Sequence, residues 1–141
     1  MTDIKTTIQK ASEAGNIALS AADEYVSLFH PDIFGKQKKS ESAEDDFFLM
    51  ADTLKRSAEI FFECASEILM LEEVSAVKSP NTATDLHKKA VLLSEINDLV
   101  IAPFLKEIYE EALNPTVDVG KIKNAAYVFS VKIKNYIIKI V

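Results

Sequence analysis

The stretch "FFLMADTLKRSAEIFFECASEILM", residues 47–70, decides the fold class. Within it Phe47, Ala51, Leu54, Ala58, Phe61, Ala65 and Ile68 recur at alternating steps of four and three. A helix, turning about 100° per residue, lines those side chains up on one face, whereas a strand would scatter them over two. Such a line is the apolar seam of a bundle or coiled coil. Phe62 and Leu69 widen it into a stripe expected to face the core. The series stops at Glu72, so the helix predicted over residues 43–78 is expected to overhang its neighbours there.

Pro31, Pro80 and Pro115 break the rest of the chain into further helical patterns, because proline lacks an N–H and restricts the residue before it. The first, residues 3–29, carries Ile4, Ile8, Ala11, Gly15, Ala18, Ala22, Tyr25 and Phe29. The small residues in its middle let another helix approach closely. The third, residues 83–114, is apolar around most of its circumference, with Lys88, Glu95, Asp98, Lys106 and Glu110 on a narrow polar face. Pro103 lies inside it, where a proline costs a regular helix about 3 kcal/mol, which predicts a kink or break. The fourth, residues 117–140, places Ile122, Ala126, Phe129, Ile133, Ile137 and Ile140 on one side. Its tail, "YVFSVKIKNYIIKIV", has the β-branched content of a strand, but the alternation fails at "NYIIK" while the helical series continues.

Thr82 with Asp85 resembles a capping box for the third helix, and Thr116 can cap the fourth. The connections around Pro80 and Pro115 are short, so consecutive helices are expected to run antiparallel. The fold expected is all-α: an antiparallel four-helix bundle of long helices, its third helix kinked or broken near Pro103, in one domain spanning 1–141.

Composition narrows the function classes. Three glycines and four prolines in 141 residues leave little turn material for an all-β fold. A net charge of −6 disfavours nucleic acid, and Arg56, the only arginine, leaves little means of gripping phosphate. No uncharged apolar run approaches the roughly 20 residues of a membrane helix, and no leader peptide is read at the start. A single cysteine, Cys64, suits a reducing cytoplasm.

Catalytic motifs are missing. Neither His30 nor His87 stands three residues after a glutamate, as bundle metal sites require, so no metal or other cofactor is expected. Cys64, on the apolar seam, reads as a small buried side chain rather than a nucleophile. No glycine-rich phosphate loop or nucleophile elbow occurs. The chain reads as a non-enzyme. One alternative with chemistry is histidine phosphotransfer through His87, in "DLHKKA", although Lys88 and Lys89 come too early for such domains and Ala90 stands where their lysine belongs. Another is an apolar ligand held near the Pro103 irregularity.

Residues 30–46, "HPDIFGKQKKSESAEDD", reverse from basic to acidic. Ser42 and Asp45 can cap the second helix, and Glu44, Asp45 and Asp46 suit its positive first turn. Lys36, Lys38 and Lys39 read mainly as a solvated loop tip, with contact to phosphate or an acidic partner as the functional option; Ile33 and Phe34 are expected to pin the loop's base.

The feature with most functional content is a second apolar face on the fourth helix. Tyr127, Val128, Val131 and Ile138 fall opposite its core stripe, and Lys132, Lys134 and Lys139 border them. An isolated bundle should be polar there. The expectation is a protein-interaction module, an adaptor, inhibitor or immunity-type protein, acting on a protein partner or by self-association as a homodimer, with neither nucleic acid nor membrane as its target.

Overall fold

Two of the four helical rods begin with an aspartate that holds an otherwise unpaired backbone N–H. Asp3 accepts from Thr6 N at 2.8 Å and starts α1, Ile4–Val26; Asp118 accepts from Lys121 N at 3.3 Å and starts α5, Val119–Ile140. Between them lie α2, Ala43–Ser75; α3, Pro80–Ile96; and α4, Ala102–Ala112, which continues α3 through a π turn at Asn97–Ile101. A computed structural model describes residues 3–29, 36–38, 43–75 and 79–141. The expected Ser42 cap, the Ile33 and Phe34 anchors, Lys39, His30 and Pro31 lie outside the described residues.

The rods close into a four-cornered bundle: α1 packs on α2 and α5, α2 on α1 and α3, and α5 on α1, α3 and α4. All seven members of the α2 seam from Phe47 to Ile68 are buried. So are Ala11, Ala18, Ala22, Tyr25 and Phe29 from the first helical pattern. Gly15 marks the close approach of α1 to α5, since a Cβ built there would lie 3.0 Å from Ile137 Cδ1. Polar groups reinforce the α1–α2 seam. Buried Ser57 Oγ donates to the Ala14 carbonyl at 3.1 Å, Thr7 Oγ1 donates to Glu67 at 3.0 Å, and Lys10 Nζ reaches Glu63 at 2.7 Å and Glu67 at 3.4 Å.

Several expectations are corrected. Phe62 and Leu69 are exposed on one flank of α2, because the seam widens on the other flank instead, through buried Met50, Ser57 and Cys64. Glu72 does not overhang: its Oε2 lies 3.2 Å from His87 Nδ1 on α3. The third helix starts earlier than Thr82, with Ser79 as its cap residue and Pro80 in its first turn, where the missing N–H costs nothing. Thr82 instead bonds the Ser79 hydroxyl at 2.8 Å. It is also less buried than its sequence implies, for Val91, Leu99 and Tyr109 are exposed.

Pro103 produces no break. The π turn just before it directs the Ala102 N–H to the Asn97 carbonyl, five residues back, and adds one residue to the turn. The irregularity expected there is therefore this widened turn.

At the end of the bundle where α1 meets α2 and α4 meets α5, the backbone forms a small clasp. Strand β1, Lys36–Lys38, pairs antiparallel with β2, Thr116–Asp118, in the register Lys36 to Asp118 and Lys38 to Thr116. Thr116 is thus in a strand, and Asp118 takes the capping role. Lys36 and Lys38, read as a solvated tip, lie on a paired backbone. The ladder satisfies the N–H and C=O groups on the edge of this stretch that faces β2.

Candidate interaction surface

The outer corner of α5 follows from its two sequence periodicities. Ile122, Ala126, Phe129, Ile133, Tyr136 and Ile140 step four, three, four, three, four along the inside. All but Tyr136 are buried, and Phe129 stacks on Phe104 of α4 with ring centroids 4.3 Å apart. Half-buried Tyr136 donates its hydroxyl to Glu95 at 3.3 Å, and Lys89 Nζ donates to the Ile140 carbonyl at 2.7 Å, placing a cation at the negative end of the helix.

A second series, Tyr127, Val131, Lys134, Ile138 and Val141, repeats the same four–three step on the opposite side. Among the described residues, no helix covers it. Tyr127 is 69% exposed, Ile138 72% and Val141 75%, while Val131 at 39% and Val128 at 40% sit lower on its flank. Of the sequence-predicted residues, Tyr127, Val131, Lys134 and Ile138 share one exposed line, and Val128 lies to its side. An open groove of about 560 Å³, lined by Asp23, Val26, Phe29, Lys123, Ala126 and Tyr127, runs between the end of α1 and this line. Strand β1 also lies against α5, so Lys36 and Lys38 belong to the same end of the molecule as the start of that helix.

Charge is distributed unevenly, a property counting residues helix by helix reveals. In α5, Lys121, Lys123, Lys132, Lys134 and Lys139 stand with no carboxylate, giving +5 over 22 residues. In α2, nine carboxylates stand against Lys55 and Arg56, giving −7. These helices occupy opposite corners of the bundle. None of the five α5 lysines forms an ion pair among the described residues; Lys139 lies 6.0 Å from the Tyr136 ring centroid.

Groups with reactive chemistry are muted or isolated. Burial pushes the Cys64 thiol up to about 11, so at neutral pH it is a protonated apolar side chain. His87 is exposed and, among the described residues, is paired with Glu72 alone. Among the described residues, no three His, Cys, Asp or Glu side chains converge as metal ligands would. Pro103 is exposed and does not line the grooves described here.

One buried polar atom was not legible in the sequence. Tyr25, 3% exposed, edges against Phe29 and Phe47, and its hydroxyl has no hydrogen-bond partner among the described residues. Burial, with a smaller contribution from the Asp46 charge, pushes this phenol up to about 12. It borders a cleft of about 230 Å³ that Glu24, Leu28, Asp46, Leu49 and Met50 also line.

No protein-family model matches the chain, and neither a curated protein nor a solved structure matches it. No helix among the described residues is long and apolar enough to cross a membrane.

Proposed function

We propose that this protein is a non-catalytic interaction module, of the adaptor, inhibitor or immunity type, that acts through the outer face of α5. The observation carrying this reading is the exposed line of Tyr127, Val131, Ile138 and Val141 on a helix whose opposite side already serves the core. Fully burying an isoleucine or valine contributes about 1.5–3 kcal/mol. Scaled by its exposure, covering Ile138 would contribute about 1–2 kcal/mol, and Val131 about 0.6–1 kcal/mol. Covering Tyr127 and Val141 as well would bring the sum to about 4–7 kcal/mol, so the cost of association has to be offset in part by the partner's further contacts. The free buried thiol of Cys64 suits a reducing, cytoplasmic setting.

The test compares Val131→Glu and Ile138→Glu with Ile133→Ala on the inner seam. Both outer variants should keep wild-type far-UV dichroism and cooperative unfolding, and should lose concentration-dependent sedimentation or capture of partner from host extract. Ile133→Ala, in the core, should cost about 2–5 kcal/mol of stability. Unfolding by either glutamate would make the outer face core, and a wild type that neither associates nor captures a partner would remove the proposal.

A second reading, phosphotransfer through His87, has one observation in its favour. The exposed imidazole is oriented by Glu72 at Nδ1, while its other nitrogen has no protein partner among the described residues. Incubation with acetyl phosphate or a kinase–receiver pair checks it; an absence of phosphohistidine on the wild type removes it.

A further inference from the structure

The outer line of α5 has a spacing and a charge that select among occupants. Tyr127, Val131, Lys134, Ile138 and Val141 are separated by four, three, four and three residues, the pitch at which one helix packs along another. A lipid surface requires no such register. The same helix holds five exposed lysines and no acid. A second copy seated symmetrically and antiparallel on the whole line would centre on its midpoint, placing Lys134 against its own counterpart amid ten lysines. Like charges held so close are costly, and an occupant of opposite charge gains both attraction and faster encounter.

Building on the proposed interaction role, we infer that the outer seam of α5 docks an acidic amphipathic helix of a partner protein. The apolar stripe of that helix lies over Tyr127, Val131, Ile138 and Val141, and a carboxylate meets Lys134 where the apolar line is interrupted. Lys134 stands within the seam, Lys121 and Lys123 lie about a turn or more before Tyr127, and Lys132 and Lys139 lie about 120–140° round the helix from the line, so acids along the incoming helix meet a positive field centred on Lys134. The groove of about 560 Å³ beside Tyr127 gives one end of it an apolar socket between Val26, Phe29 and Ala126.

The probe is a synthetic helical peptide of about four heptads, with leucine and isoleucine on its seam and glutamate on both shoulders. A twin carries lysine in place of each glutamate. Anisotropy of the labelled peptides is read against the full-length chain at about 0.05 M and about 0.5 M salt. The acidic peptide should bind at least about tenfold more tightly than the basic one, and salt should erode the difference. Lys134→Glu should reduce the preference and Ile138→Ala should weaken binding, with dichroism of each variant unchanged.

Equal binding of the two peptides, a preference for the basic one, or no binding by either overturns the inference. So does binding of phosphatidylserine vesicles that Val131→Glu abolishes while the acidic peptide stays unbound, which would assign the face to a lipid surface. If wild type self-associates through Val131 but ignores the acidic peptide, the interaction role stands and only this choice of partner falls.

Discussion

The α1–α5 contact at Gly15 makes a quantitative prediction. Replacing a helix-interior glycine with alanine ordinarily gains about 1 kcal/mol from helix propensity. Here the new Cβ would lie 3.0 Å from Ile137 Cδ1, 3.2 Å from Ile137 Cγ1 and 3.6 Å from Ile133 Cγ2. The first two contacts are too short, and overpacking of this kind costs about 1–3 kcal/mol. Gly15→Ala alone should therefore destabilise by about 0–2 kcal/mol. Ile137→Val removes the nearest atom, and alone should cost about 0.5–1.5 kcal/mol, toward the low end because Ile137 is half-buried. In the double variant the added methyl takes the space of the Cδ1 removed, the 3.2 Å contact with Cγ1 is left to relax by a few tenths of an ångström, and the helix-propensity gain offsets the lost contact. Its stability should return close to wild type, a coupling of about 1 kcal/mol or more between positions 15 and 137. Urea unfolding followed by far-UV dichroism is the appropriate assay, since the chain has no tryptophan. The midpoint should move while the slope stays constant. Additivity of the two changes within about 0.5 kcal/mol would refute the packing described for α1 and α5.

Two further outcomes concern buried ionisable groups. Tyr25→Phe deletes a hydroxyl that has no hydrogen-bond partner among the described residues, so it should be neutral or stabilising by up to about 1–3 kcal/mol in the same unfolding assay. A loss of more than about 1 kcal/mol would show that the hydroxyl is bonded. Both Tyr25 and Cys64 hold their protons longer in the fold than in the unfolded chain, rising from 10.0 to about 12 and from 9.0 to about 11. The folded state then binds more protons across that window, so stability should fall as pH rises above about 9 and continue falling to about 12. Cys64→Ala should flatten the lower part of this decline and Tyr25→Phe the upper part; identical pH profiles for both variants and wild type would contradict these burial effects.

The sequence revealed the rods because their seams are long and regular. Phe47 through Ile68 and Ile122 through Ile140 recur over several turns, and so many coincident steps leave little room for another period. The exposed outer line of α5 was legible for the same reason, as Tyr127, Val131 and Ile138 share one side of the wheel. Local devices were harder. Thr82 and Thr116 have suitable cap chemistry, but Ser79 and Asp118 stand at the actual boundaries, because the start of a helix depends on backbone direction as well as residue type. The clasp was hidden because "KQK" has neither β-branched residues nor apolar alternation, and its pairing partner lies some eighty positions away. Phe62 and Leu69 are apolar and adjoin the seam on the wheel, yet neither property decides burial. That the Tyr25 hydroxyl has no hydrogen-bond partner among the described residues follows only from what surrounds it in three dimensions.

The widened turn at Asn97–Ile101 also fixes which parts of the chain can change in length. It holds one additional residue locally, so α3 and α4 continue on either side as one rod. Removing a single residue there should let the turn close to ordinary α geometry, with Phe104 still on the Phe129 ring. The same deletion in the regular middle of α2 would rotate everything downstream by about 100° and shift it by about 1.5 Å, carrying the seam off the core. The widened turn is thus slack in the rod, a place where length can change without regearing the rest of the molecule.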